Sequence, residues 1–202
     1  MENLQRALEV PQARVALILL RLHQGIEALM RRLGRAEGLS PTQVQVLCFL
    51  AQAHPDYRGV NAIAKRFSVA PATASRVIDN LEEKGLVRRT RGAEDRRRVQ
   101  VELTPSGRKT AQRIGALSRK LEDYIQRLPQ RDLRVLDRDL ENVLRSFHQD
   151  GYLAVSTVCH TCPYLEEAFP GTDKPHVCRL TGERLSEEES YLERLEEVPR
   201  GR

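Results

Sequence analysis

The chain has 202 residues, with 33 Lys and Arg against 28 Asp and Glu, a net charge of +5 and a pI near 9.2. Such a balance suits a polyanionic partner, and the absence of any apolar run near the roughly 20 residues that cross a bilayer argues against a membrane partner. Glu2 and Glu9 ahead of a helical pattern also differ from the basic-then-apolar order of a signal peptide, so a cytoplasmic location is expected. The charge is uneven: residues 1–150 carry 27 Lys and Arg against 18 Asp and Glu, and residues 151–202 carry 6 against 10, a basic body with an acidic tail.

Taken in chain order, Leu8 to Leu33 sets Val15, Leu17, Ile18, Leu19, Leu22, Ile26, Leu29, Met30 and Leu33 at helical spacing. That stripe is wide enough to meet more than one surface, which points to a partner subunit. Ser40-Pro41-Thr42-Gln43 has the form of a capping box with proline at the first helical position, opening a core helix through Val44, Val46, Leu47, Phe49 and Leu50. Cys48 on that helix reads as a small core residue.

From Gly59 to Gly107 the pattern is helix, turn, second helix and basic hairpin. Val60, Ile63, Ala64 and Phe67 share a helical face, Ser68-Val69-Ala70 breaks it, and Pro71 opens a second helix with Ala74, Val77, Ile78 and Leu81 on its apolar side. The other side shows Ala72, Thr73, Ser75, Arg76 and Asn80. Small and hydroxylated side chains allow close approach to a groove floor, while Arg76 and Asn80 can hydrogen-bond bases or phosphates. Gly85 is placed to end this helix in the left-handed conformation. Leu86 to Thr90 and Val99, Val101 and Leu103 alternate as two strands around a turn at Arg91 to Arg96. Arg88, Arg89, Arg91, Arg96, Arg97 and Arg98 crowd that hairpin, and Asp95 is placed to orient a neighbouring guanidinium for a narrow minor groove.

The run LEEKGLVRR, then EDRRRVQVELTPSGRK, resembles the MarR family of bacterial winged-helix transcription regulators over roughly Arg14 to Phe147. The resemblance implies a two-fold dimer held by N- and C-terminal helices, the second helix in the major groove and a wing arginine in the minor groove. It gives Asp95 and Arg97 the wing roles and Pro71, Ala72, Thr73, Ser75 and Arg76 the recognition-helix roles. It also implies a small-molecule effector between the dimer helices and the winged domain. Only nine residues are Phe or Tyr, and nothing in the sequence marks such a pocket. Repression rather than activation is the family expectation.

Beyond Pro105 one long helix is expected through Ile114, Leu117, Leu121 and Ile125, with Pro129 interrupting before Leu133, Leu136, Leu140, Val143, Leu144 and Phe147. A winged domain of this size does not need so much apolar helix, so a homodimer interface is the economical reading, and an intramolecular bundle is the alternative.

After Asp150-Gly151 the composition changes. Cys159-His160-Thr161-Cys162 is followed by His176-Val177-Cys178, and a C-x2-C turn with a third cysteine sixteen residues on reads as a metal site. Zinc held by Cys159, Cys162, Cys178 and His176 is the preferred set, with His160 the other candidate. An iron–sulfur cluster or metal-free redox thiols are the alternatives. Ser186 to Leu195 is expected to be a capped acidic helix, with Val198 to Arg202 fraying beyond it.

The expected fold is therefore mainly α with some β. Residues 1–37 form an N-terminal dimerisation helix, 38–104 a winged helix-turn-helix with a two-stranded wing, 105–150 C-terminal dimerisation helices and 151–202 a small Cys-rich tail. Double-stranded DNA and a second copy of the chain are the expected partners. A less specific nucleic-acid-binding or scaffold role is the nearest rival. No nucleophile, base and orienter are grouped and no phosphate loop is present, so the chain does not read as an enzyme.

Overall fold

The computed structural model describes residues 10–91, 99–154, 156–162, 164–179 and 181–195. Helix α1, Pro11–Ala36, has proline in its first turn, where the missing N–H removes no intrahelical bond. Its last turns are its buried part. Met30 and Gly34 are covered, and a Cβ on Gly34 would stand 2.5 Å from the Leu39 carbonyl oxygen, so the chain can double back there only over glycine. Most of the helix upstream remains bare, with Val15, Ile18, Leu20 and Leu22 between 46 and 60 % exposed.

Helix α2, Pro41–Gln52, begins on the expected capping box: Ser40 Oγ accepts from the Gln43 amide at 3.3 Å, and the Gln43 side chain accepts from the Ser40 amide at 2.9 Å. It forms the centre of the core, with Val44, Leu47 and Leu50 sealed from solvent. Helix α3, Val60–Arg66, and helix α4, Pro71–Glu83, are joined by a turn in which Ser68 adopts φ +51°, a left-handed conformation that disfavours L side chains. Ile63, Ala64, Ala74, Ile78 and Leu81 face inward, and the Phe67 ring meets Phe49 of α2 edge-on at 5.9 Å.

Gly85, at φ +65°, ends α4 as predicted, with Gly85 and Leu86 amides returning to the carbonyls of Glu82 and Leu81. Strands β1, Val87–Arg91, and β2, Val99–Leu103, pair antiparallel from Val87↔Leu103 to Arg91↔Val99. Their base is tied to the segment before α3: Gly59 bridges to Gln100, and the Val101 amide donates to the Arg58 carbonyl at 2.9 Å.

Thr104 caps helix α5, Pro105–Ile114, accepting from the Gly107 amide at 3.0 Å while its hydroxyl donates to the Gly85 carbonyl at 2.7 Å. A Cβ on Gly107 would lie 1.9 Å from the Leu86 carbonyl oxygen, so the motif Leu-Thr-x-x-Gly is a packing requirement. The single helix expected beyond Pro105 is instead two, because Gly115 separates α5 from helix α6, Ala116–Ile125. Glycine is a poor interior helix residue, and the break falls where the chain leaves the core behind Ile114. Pro129 caps helix α7, Gln130–Gln149, in which no residue is buried, and Val135, Leu136, Leu140, Val143, Leu144 and Phe147 all stand 37–56 % exposed. No helix among the described residues is long and apolar enough to cross a membrane.

The tail is made of short strands. β3, Ser156–Val158, pairs antiparallel with β7, Glu193–Leu195, while β4, Leu165–Glu167, β5, His176–Cys178, and β6, Arg184–Leu185, make a second sheet in that order. The helix expected over Ser186–Leu195 is cut to one turn, α8, Glu187–Ser190. Its capping box forms through Ser186 and Glu189, but the chain then turns into β7 because Leu195 reaches the winged-domain core and the backbone at Glu193 finds strand partners in Val158 and Ala53.

Candidate nucleic-acid interface and the thiol turn

On α4 the apolar residues are used inward, which leaves Pro71, Ala72, Thr73, Arg76 and Asn80 exposed and Ser75 half-buried on the outer face. That face has no acidic residue before Asp79 and begins at the helix N-terminus, where the peptide dipoles favour an anion. A phosphate or base edge can therefore be met by backbone amides, hydroxyls and one guanidinium from a single helix.

The wing arginines divide. Arg88 donates to Glu102 across the hairpin at 2.8 and 3.2 Å, and this guanidinium, opposed by partial burial, holds the Glu102 carboxyl below its usual range. Arg89 reaches back to α4, donating to Asp79 at 2.5 Å and to Glu82, and those bonds push its pKa up despite some desolvation. Arg88 thus ties the two strands of the hairpin together, and Arg89 braces the hairpin against α4. Arg91 is exposed at the end of β1. Asp95, Arg96, Arg97 and Arg98 lie outside the described residues, as do Val198 to Arg202.

The cysteines occupy two turns. Cys159 follows β3 directly, its carbonyl accepts from the Cys162 amide at 2.8 Å, and the Cys162 carbonyl accepts from the Leu165 amide at 3.1 Å. Cys178 ends β5 opposite Leu165, and its carbonyl accepts from Gly182 at 2.7 Å. The three thiols are half-buried. Burial pushes the Cys159 thiol up, and the fields of Cys162 and Cys178 add to this while Arg194 opposes it. Arg194 donates twice to Glu183, at 2.6 and 3.0 Å, yet its Nε is buried with no hydrogen-bond partner among the described residues. An orphaned guanidinium N–H in the field of the thiols suits a site where negative charge gathers.

The histidines are held elsewhere. His176 is buried, with Nε2 2.6 Å from Glu187, and His160 stacks on Tyr191 with its ring nitrogens toward Ser190 and the Tyr191 hydroxyl. Among the described residues, no three or more His, Cys, Asp or Glu side chains converge as a ready metal-ligand group. Cys159, Cys162, Cys178 and His176, the set expected to hold zinc, are therefore not gathered as a ligand group among the described residues, because His176 is engaged by Glu187 and the thiols sit on separate turns. Cys48, as expected, packs against the core, its thiol raised by burial.

Sequence reasoning missed the contacts that join the tail to the winged domain. Arg66 Nε donates to Glu193 Oε1 at 2.5 Å, the His54 amide donates to the Glu193 carbonyl at 2.8 Å, and Ser68 Oγ donates to the Tyr152 carbonyl at 2.8 Å. Arg66, Ser68, Tyr152 and Glu193 also border a cleft of about 530 Å³, together with Met30, Cys48 and Phe49. No periodicity marks such pairs, since each partner lies on a different element.

An outward polar recognition helix followed by a hairpin with its base pinned to the same domain defines the winged helix-turn-helix class. Residues 37–98 match the MarR family. It is 34% identical over 93 residues to the HTH-type transcriptional repressor MdtR of Bacillus subtilis, a match covering 46% of this chain and 59% of the relative. The chain thus spans less than two thirds of that repressor's length. Among solved structures it is similar to the transcriptional regulator PA3341, with a TM-score of 0.59, 27% identity, and coverage of 66% of this chain and 98% of the other. The fold also matches that of Staphylococcus aureus MepR in its complex with DNA, with a TM-score of 0.57 and 23% identity over 65% of this chain and 96% of that one.

Proposed function

We propose that this protein is a sequence-specific transcriptional repressor that binds duplex DNA as a homodimer on a palindromic site. The observation that carries this reading is the exposed face of α4, Pro71 to Asn80, set beside a wing whose stem is braced to the same helix through Arg89. In this reading the N-terminal half of α4 enters the major groove, and the wing arginines, Arg91 and Arg96 to Arg98, meet the flanking backbone or minor groove. The bare apolar rows of α1 and α7 support the dimer, since an exposed face of this extent calls for a partner and a second copy would supply the same row. Two copies then present their α4 helices about 34–36 Å apart, one DNA turn. A cytoplasmic location goes with that role. The cleft beside Arg66 is where a small effector would act.

Selection from random duplexes, followed by affinities at fixed salt for the selected and a scrambled site, tests this reading. The selected site should bind more tightly, and Arg76→Ala should weaken it by about 1–3 kcal/mol without lowering the melting temperature. Arg97→Ala should do the same at the wing. Equal affinity for both duplexes with a steep salt slope would establish the non-specific role instead.

The finer part of the reading assigns zinc to Cys159, Cys162 and Cys178. The C-x2-C spacing and the two turns support it, whereas His176 could join only by leaving Glu187. Bound there, the ion would cross-link two turns that otherwise share little core. Elemental analysis of anaerobically purified protein should find about one zinc per chain, lowered by Cys162→Ser. Iron with sulfide and a brown chromophore would assign a cluster instead.

A further inference from the structure

The tail grips the helix-turn-helix at the segment that sets the direction of its recognition helix. Ser68, in its left-handed conformation between α3 and α4, donates to the Tyr152 carbonyl where the tail begins. Arg66, the last residue of α3, is held by Glu193 near the other end of the tail, with its guanidinium over the rings of Phe49 and Phe67 at 5.9 and 5.6 Å. The Glu193 backbone is fixed as well, bridging to Ala53 and accepting from His54. On its other edge Glu193 pairs with Val158, and the next residue is Cys159. One strand pair therefore separates the thiol turn from the α3–α4 turn.

We propose that the C-terminal module is an input domain for the DNA-reading helix, in which the state of the Cys159–Cys162 turn is transmitted to α3 and α4 through Val158, Glu193 and Arg66. This inference rests on the reading of α4 as the DNA-contacting helix. The path lies within one chain and does not pass through the α1 and α7 rows. Its physical content is a shared strand: a change in the thiol turn displaces β3, β7 moves with it, and the Glu193 carboxylate shifts against an arginine that ends α3. A coupling of this kind exists only where the two states of the tail differ in their interaction with the DNA-competent domain, and the ion pair with its flanking backbone bonds is where that difference arises.

A double-mutant cycle on the full chain tests the path. Wild type, Glu193→Gln, the paired change Cys159→Ser with Cys162→Ser, and the combination are compared for affinity to the duplex that wild type selects, with hydrogen exchange followed in Pro71–Glu83 and zinc content measured on the same samples. The cysteine changes should alter affinity by about fivefold or more in the wild-type background and by less than about twofold with Glu193→Gln. Exchange in α4 should follow the same pattern. Equal ratios in both backgrounds, or a ratio below about twofold in wild type, overturn the coupling. If the cysteine variant loses its tail fold, exchange in β3 and β7 records it, and that larger perturbation must still be non-additive with Glu193→Gln. Zinc missing from wild type removes the metal assignment and leaves the cycle readable, while loss of selectivity for the duplex removes the repressor reading instead.

Discussion

The winged domain and the tail are held together by different forces. In the first, Val44, Leu47, Leu50, Ile63, Ile78, Leu81 and Ile114 are sealed from solvent and belong to one core cluster built from four helices. In the second, strands of two or three residues surround little apolar mass. Leu185 is its buried leucine, His176, Ser190 and Glu193 are buried polar groups held by named partners, and Leu195 is inserted into the other domain's core. Area removed from water stabilises the winged domain on its own account. The tail depends on local turns, paired charges and docking, so it can change state while the domain beneath it stays folded.

The largest expected effect that sharpens this contrast is on the winged side. Ile78→Ala should cost about 2–5 kcal/mol in urea unfolding, with helix and wing signals lost together, because the cavity opens at the centre of the shared core. A change below about 0.5 kcal/mol would show that α4 is not packed as described. Leu185→Ala removes a side chain of the same class, yet its effect should stay local: amides of β4 to β6 exchange faster while the winged-domain melt is unchanged. A matching drop in the main melt would make the two regions one cooperative unit and dissolve the contrast.

The smallest effect is on pH. His54 is held below its usual value near 6.5 chiefly by burial and also by Arg194, against the pull of Asp56, Glu183 and Glu189. The unfolded chain thus takes up the proton first as pH falls. The contribution of the neutral ring is fully present above about pH 6.5 and is lost progressively below it. Stability measured from pH 7 to 5.5 should decline, and His54→Gln should flatten that part of the slope. An unchanged slope would place the titration elsewhere.

How much could be read in advance follows the same division. The helix-turn-helix, the hairpin, the capping box at Ser40 and the cap at Gly85 were legible because apolar spacing and turn chemistry act over neighbouring residues. The interruption at Gly115 was not, since Leu117, Leu121 and Ile125 continue the periodicity on its far side. In the tail, three-residue strands carry no measurable period, and Ser186 to Leu195 has a true helix start with nothing in its sequence to announce the turn into β7. The cysteine spacing was visible. The commitment of His176 to Glu187, of Arg88 to Glu102 and of Arg89 to Asp79 and Glu82 depends on neighbours from other elements, which composition cannot supply.

The close approach of Gly107 to the Leu86 carbonyl, with Thr104 bonded to both sides of it, leaves no slack between the hairpin and α5. A joint without play transmits angle instead of absorbing it. In the proposed dimer, a rotation of the helices beyond the wing would therefore reach the hairpin as a rigid tilt, with the wing acting as the pointer of a gauge whose axle is the subunit contact.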